Sequence, residues 1–536
     1  MLPGIVIKNG TVIDGSKKAA YQADIIIKGD RIAKIGKIDS RLSSFVEIDA
    51  SGCLVTPGFI DFHSHSGLHL FNDSLAKEKI RQGITTEILG NCGFSAVPLT
   101  DKNVNELAVY AKPVLGQTKC EIKWRTLKDY YKKLRDTGIS VNVVTNVGHN
   151  TLRTAVMGFD SRHSMPKEIK TMKTLLKKAL EEGAVGLSTG FLYVPGYYAQ
   201  QEEIVALCRL VAENNGYYAT HMRNESNTIK DAIKESLEIG KKANVHVHIS
   251  HLKLVGRDNW GKSEEILKML DKARERGIRI TCDVYPYLAG STTIAALFPP
   301  WVLEGGIEVA VKKLRQPKVR DTVKKQWKNS STEWENLVKC CNWRNILISA
   351  LGSSRNKYYE GKTIKQISEE LGKDPADVAL DLLIQEKGDV TIITFAVAEE
   401  DMVNILKYPF SCIGTDGLYG GQKPHPRLCG TFPKVLGTYA REKGVLGWEE
   451  AIYKMTRLPA SILGISSIGQ IRENCLADLV IFDPDIIIDR ATYNEPWTPP
   501  GGIEYVIISG KIVLEKGEIT GERPGKIFRK NKGNTN

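Results

Sequence analysis

Pro57-Gly58-Phe59-Ile60-Asp61-Phe62-His63-Ser64-His65 is an apolar run that carries one acid and ends in two histidines one residue apart. Ile60 and Phe62 flank Asp61 as in a short strand packed in a core. In extended backbone every second side chain returns to the same face. His63 and His65 therefore point the same way, close enough to hold one metal ion. The chain has only ten histidines in 536 residues. Others fall at strand ends below, which favours a metal pair over two unrelated surface histidines.

Outward from this stretch the same texture recurs. Strand-like runs at 58–62, 85–89, 141–147, 184–188, 217–221, 246–251, 278–284 and 412–416 alternate with amphipathic segments such as 201–214, 227–242 and 263–276. Strand and helix repeated eight times predict an α/β fold, a (β/α)8 TIM-like barrel, over 57–464. A doubly wound open sheet is the alternative, and it places its chemistry near a glycine-rich phosphate loop. GxGxxG does not occur, although Gly256 to Ser263 matches GxxxxGK[ST] by spacing. The stretch between the seventh and eighth strands is too long for one helix. Within it, 295–341 is expected as a helical insertion on the barrel rim, placed to act as a lid.

Residues 1–56 read as short strands around the turns Asn9-Gly10, Asp14-Gly15 and Lys28-Gly29-Asp30, and the texture returns in 465–536. Neither end has residues enough for a core of its own. The expectation is one small β-sandwich formed by 1–56 together with 465–536. The tail from Gly521 is polar and basic, and its end is expected to fray.

Composition narrows the class. Hydrophobic residues make up 42% and charged residues 25%, as in an ordinary globular protein. The net charge of +12 is spread over helix faces that also carry acids, so no nucleic-acid partner is expected. No apolar run approaches a membrane span, so no membrane partner is expected either. The start lacks a basic segment followed by a long apolar one, so no signal peptide is expected. Ten cysteines without a CxxC pair point to a reduced, cytoplasmic protein. Nothing in the sequence sets the oligomeric state.

Barrels of this kind carry their chemistry at the C-terminal ends of the strands. Those ends supply His63 and His65 from strand one and Asn91-Cys92-Gly93 after strand two. His221 closes strand five, His251 strand six and Asp416 strand eight. These are ligand types that zinc prefers. Six are too many for one tetrahedral ion and suit two metals sharing a bridge.

The same residues sit in an ordered string of motifs. It runs Asn9-Gly10-Thr11-Val12-Ile13-Asp14-Gly15, the HxH stretch, Gly90-Asn91-Cys92-Gly93, Gly148-His149 with Thr151-Leu152-Arg153, and Gly186-Leu187-Ser188-Thr189-Gly190. It continues through Thr220-His221-Met222-Arg223, Ser250-His251-Leu252-Lys253, Thr415-Asp416-Gly417 and His425-Pro426-Arg427 with Gly430-Thr431-Phe432. Over nearly the whole chain this resembles the D-aminoacylase (N-acyl-D-amino-acid deacylase) family of the amidohydrolase superfamily.

The resemblance implies a tight zinc site at Cys92, His221 and His251, and a second, weaker position at His63, His65 and Asp416. Many superfamily members bridge their metals with a carboxylated lysine at the end of strand four. Here that end reads Leu187-Ser188-Thr189-Gly190, and the Cys92 thiolate can take the lysine's place. Asp416 is then the general base and acid. The family's hold on the substrate carboxylate maps to Tyr193, Lys253, Ser291 and Arg427, the last with a planar fork suited to a carboxylate. His149, at the end of strand three, has no metal task and is expected to orient substrate, to support the ligands from behind, or to cap the barrel.

The implied reaction is zinc-dependent hydrolysis of a small-molecule substrate, an N-acyl-D-amino acid, to a carboxylate and a free D-amino acid. A cyclic-amide hydrolase of the dihydroorotase or hydantoinase kind would call for the strand-four lysine. A non-catalytic scaffold on the same fold would have lost ligands that this chain keeps. Two departures stand out: Ser66-Gly67 where the family often has acids after HxH, and Arg472-Glu473-Asn474-Cys475 in place of a glycine-containing turn.

Overall fold

Eight apolar segments form parallel strands in chain order. They are β1 (Phe59–Asp61), β2 (Ile84–Leu89), β3 (Asn142–Thr145, continued by Val147–Gly148), β4 (Gly186–Gly190), β5 (Tyr217–His221), β6 (His246–Ile249), β7 (Ile280–Val284) and β8 (Ser411–Ile413). The computed structural model describes residues 4–38, 45–101, 103–329 and 333–529. β1 to β3 pair as one parallel arc, and Val147–Gly148 leads a second arc through β4 to β8. Backbone hydrogen bonds from Phe62 to Ile413 (3.2 Å) and from Asp416 to His63 (2.8 Å) tie the first strand to the last. All residues of β2 and β5 are buried, as expected for parallel strands covered on both faces.

The helices between strands turn an apolar stripe inward. In Pro166–Glu182 the buried residues are Met172, Leu176, Ala179 and Leu180, which is the i, i+4, i+7, i+8 spacing of one helix face. Burying a side chain such as Leu176 stabilises by about 1.5–3 kcal/mol. Gly183 ends this helix at φ 115°, a left-handed stop that a side chain resists.

The excursion between β7 and β8 is larger than the expected 295–341 segment. Ala289–Thr293 pairs antiparallel with Val390–Phe395, which also pairs with Ile346–Leu351. The helices Ile307–Leu314, Pro317–Lys328 and Leu337–Cys341 lie within this excursion. The founding strand of the small sheet reads Ala-Gly-Ser-Thr-Thr. It has no apolar run of its own and gives no strand signal.

The two chain ends share a sheet. Leu54–Pro57 runs antiparallel to Leu479–Phe482, with Val55 opposite Ile481. The seven-stranded sheet built around that pair meets a four-stranded sheet of N-terminal strands. Ile5, Ile7, Ile25 and Ile27 from one sheet pack with Val55, Leu479, Ile481 and Ile507 from the other.

The first part of the tail is bonded to the third strand, and the end expected to fray lies outside the described residues. Gly525 donates to Ile139 (2.8 Å), Val143 to Lys526 (2.8 Å) and Phe528 to Val143 (2.9 Å). β3 pairs with the fourth-strand region only from Val147 onward, so its first residues leave backbone groups that the tail satisfies. Residues beyond 529 lie outside the described part.

Candidate active site

A buried charge pair sets the two strand ends that carry half of the candidate ligands, His63, His65 and Asp416. Asp61, inside β1, accepts from Lys79 Nζ (2.6 Å) and Thr415 Oγ1 (2.7 Å) through one oxygen. Its other oxygen accepts the backbone N–H groups of Thr415 (2.8 Å) and His63 (3.2 Å). Lys79 and Asp61 are fully buried. Removing one partner of such a pair strands a charge and costs about 3–5 kcal/mol. Asp61 thus locks the HxH turn to the loop that bears Asp416.

Above this pair six side chains converge. The ligand atoms of His63, His65, Cys92 and Asp416 lie within 4.8 Å of one another, and so do those of Cys92, His221 and His251. Cys92 Sγ stands 3.3 Å from His63 Nε2 and 3.4 Å from His251 Nε2. Asp416 Oδ1 is 3.1 Å from His65 Nε2 and 3.5 Å from His63 Nε2. Both ring nitrogens of buried His221 lack a protein partner.

Cys92, His251 and Asp416 sit at φ 52°, 36° and 47°. Left-handed backbone is unusual for such residues and clusters where the surrounding structure fixes a functional geometry. The Cys92 loop is held by Ser188, whose Oγ donates to Gly90 O (2.6 Å) and accepts from Gly93 N (3.1 Å). A Cβ placed on Gly190 would stand 2.2 Å from Cys92 O. That contact accounts for a bare glycine at the end of β4.

A second layer orients the imidazoles, as second-shell carboxylates do in metal sites. Asp283, at the end of β7, meets His63 Nδ1 (3.3 Å) and His248 Nε2 (2.9 Å) and accepts the His251 backbone N–H (2.9 Å). Glu225 lies 3.0 Å from His251 Nδ1 and 2.7 Å from Lys253 Nζ. Burial pushes the Glu225 carboxyl up, but Lys253 and then His251 outweigh it and hold it at about 2. Burial also raises the Cys92 thiol, yet the charges of His63 and His251 carry it well below the usual thiol range. Burial likewise opposes Asp416 ionisation, and Arg427, then His63, hold its carboxyl well below the usual range.

The cluster opens on a cleft lined by His65, Cys92, His221, His251 and Asp416, and also by Tyr193, Lys253, Tyr285, Ser291 and Glu335. Three of the four residues expected to hold the substrate carboxylate, Tyr193, Lys253 and Ser291, are on this wall. Arg427 stands directly behind it, fully buried, with Nη2 2.9 Å from Asp416 Oδ2 and its guanidinium 4.5 Å from the Tyr285 ring centroid. Arg427 Nε and Nη1, Tyr285 OH and Ser291 Oγ have no protein partner. Tyr193 is different, because its hydroxyl already meets Thr292 Oγ1 (2.8 Å).

His149 departs from its expected place. It does not line the cleft. Its Nε2 meets Glu203 (2.6 Å), and Arg153 pairs with the same carboxylate. It is the first residue of the helix His149–Met157 and is fully buried, with Glu203 as its hydrogen-bond partner.

Asp61, Lys79, Asp283, Glu225, Tyr285 and Glu335 were not singled out by the sequence. Asp283 and Tyr285 at the end of β7 carried a signal in their strand-end position. Glu335 carried none, because it reaches the cleft from the excursion.

Buried histidines, a thiol and carboxylates at the C-terminal ends of parallel strands define a metal-dependent hydrolase of the α/β class. The sequence profile of the Amidohydrolase family matches residues 46–323 and 377–514. D-aminoacylase from Alcaligenes xylosoxydans xylosoxydans is 35% identical over 524 residues, 98% of this chain and 97% of that one. N-acyl-D-glutamate deacylase from the same organism is 34% identical over 98% of this chain and 96% of its own length. The crystal structure of N-acyl-D-glutamate deacylase from Bordetella bronchiseptica, complexed with zinc and a phosphonate inhibitor, superposes with a TM-score of 0.84. It is 32% identical and covers 99% of this chain and 100% of that one. The chain belongs to the amidohydrolase family and, within it, to the D-aminoacylases. It is a metal-dependent amidohydrolase.

Proposed function

We propose that this enzyme hydrolyses the amide bond of N-acyl-D-amino acids, giving a carboxylate and a free D-amino acid, with zinc as its metal. The observation that carries the reading is a set of unpartnered buried donors beside the ligand cluster: Arg427 Nε and Nη1, Tyr285 OH and Ser291 Oγ. Unmet buried donors are costly, and a carboxylate is the ligand that answers several at once. The D configuration is supported by the names of the curated relatives.

We read the eight parallel strands, linked from β1 to β8, as a closed (β/α)8 barrel, and the two packed end sheets as a β-sandwich. The donor set fits zinc: a thiol, imidazoles and carboxylates, with an unpartnered His221 ring. Cys92, His221 and His251 would hold a tight ion. His63, His65 and Asp416 would hold a weaker one, with Cys92 shared. Zinc bound there supplies Lewis acidity, which acidifies water and polarises a carbonyl.

The chain's own groups do the rest. Glu225 and Asp283 fix the imidazole rings. Arg427, Tyr285, Ser291 and Lys253 anchor the substrate carboxylate, and Tyr193 lies along the cleft. Asp416 takes a proton from the attacking water and delivers it to the leaving amine nitrogen. A cyclic-amide reading is not favoured, since the end of β4 is closed by the Gly190–Cys92 contact and carries no lysine. Ten free cysteines support a reducing compartment such as the cytoplasm, and among the described residues no helix is long and apolar enough to cross a membrane.

The test is a panel of N-acetyl-D-amino acids, their L enantiomers, and a dihydropyrimidine and a hydantoin as cyclic amides. Release of free amino acid from the D series alone is expected. Turnover confined to the cyclic amides contradicts the proposal.

A further inference from the structure

Glu335 is 1% exposed and comes from the excursion between β7 and β8, yet it lines the cleft that the ligand cluster opens on. Its Oε1 accepts the backbone N–H of Glu225 (2.9 Å). Its Oε2 is buried and makes no hydrogen bond of good geometry, with the Ser226 side chain the hydroxyl beside this carboxyl. Burial, then the charge of Glu225, pushes its carboxyl up to about 7. Around it the cleft wall is largely apolar, with Leu192, Val255 and Leu337. A buried carboxyl with an oxygen left over on such a wall calls for a ligand that donates to it.

The two cations near the cleft are already engaged. Lys253 is 2.7 Å from Glu225 and Arg427 is 2.9 Å from Asp416. The spare donors of Arg427 serve one carboxylate. A second carboxylate on the substrate would find no free cation, and it would face the Glu335 oxygen instead. The side chain of an amino acid branches from the carbon that bears the carboxylate. The groups flanking the carboxylate anchors are therefore those it meets, and Glu335 adjoins Lys253 through Glu225.

We propose that Glu335 sets the side-chain selectivity of this site, offering its free oxygen to a hydrogen-donating side chain and rejecting an acidic one. The inference rests on the proposed deacylase activity and names which substrates it takes. N-acetyl-D-glutamine and N-acetyl-D-glutamate are nearly isosteric and differ in what they present at the tip, a donor amide or an anion. Their kcat/KM ratio isolates the effect, with N-acetyl-D-leucine as an apolar reference.

At pH 8 the wild type is expected to favour the glutamine substrate by about 100-fold or more. That equals a buried hydrogen bond gained plus a like-charge contact avoided, roughly two factors of ten. Glu335→Gln keeps an oxygen for the Glu225 N–H and adds a donor. It should cut the ratio at least tenfold while leaving N-acetyl-D-leucine turnover and zinc content within about threefold. A wild type that takes both substrates equally, or a variant whose ratio is unchanged, overturns the assignment of Glu335. If the variant loses leucine turnover too, Glu335→Asp is measured. Recovery of leucine turnover with a glutamine preference supports the assignment, and a ratio near one overturns it. A zinc-loaded wild type that hydrolyses none of the three overturns the deacylase reading, and the selectivity falls with it.

Discussion

Replacing Arg427 with lysine separates a group that reads the substrate carboxylate from one that only steadies Asp416. Arg427 holds Asp416 Oδ2 at 2.9 Å through Nη2 and keeps Nε and Nη1 free. Nε and Nη1 flank the Asp416-bound Nη2 on opposite edges of a rigid plane, so each presents its own directed N–H to a carboxylate oxygen, and a lysine ammonium offers a point charge instead. Hydrogen bonds to charged groups contribute roughly 1.5–3 kcal/mol each. Lysine can regain one of the two, so the net loss is about 1.5–3 kcal/mol, or roughly 10- to 140-fold at 1.4 kcal/mol per tenfold. The assay compares kcat/KM for N-acetyl-D-leucine and for its primary amide, in wild type and Arg427→Lys, at equal zinc content. The acid should lose its advantage, mostly through KM, while the amide changes little. An unchanged preference for the acid refutes the carboxylate role and leaves Arg427 as the partner of Asp416 alone.

Cys92 is the ligand atom common to both clusters, so Cys92→Ala should lose most of its zinc by elemental analysis, and full occupancy would remove Cys92 from the site. Glu203 tests the fold beneath. Burial pushes its carboxyl up, but His149 and Arg153 hold it at about 2, below the roughly 4.3 of an unfolded chain. A depressed folded value means stability that is present above about pH 4 and lost as pH falls toward 2, on the order of 3 kcal/mol. Glu203→Gln should therefore lower the unfolding temperature at pH 7, and the gap to wild type should shrink at pH 3. An equal gap at both pH values would mean that the carboxylate charge is not what stabilises the pair.

Strand ends were legible because period-two patterning and short apolar runs are local signals. The HxH pair follows from strand geometry alone, and the structure puts His63 and His65 with Cys92 and Asp416. What the sequence concealed depends on contacts far apart in the chain. Glu335 approaches Glu225 across 110 positions, and Lys79 reaches Thr415 across 336. No window of neighbouring residues reports such pairs. The strand 289–293 escaped notice for another reason, since small and hydroxyl residues form it only because Val390–Phe395 offers an edge. His149 misled because a strand-end histidine looks available, and only the structure reveals Glu203 beside it.

The division of labour between a metal held by Cys92, His221 and His251 and a proton carried by Asp416 is tested most directly by Asp416→Asn. Asparagine is nearly isosteric and keeps hydrogen-bonding capacity, but it cannot take the proton. The measurement is kcat for an N-acetyl-D-amino acid beside zinc content per chain. General acid–base groups typically contribute ~10²–10⁴-fold, so kcat should fall by at least that much, with one tight zinc retained and KM little changed. Near-normal turnover in the zinc-loaded variant would contradict the mechanism outright.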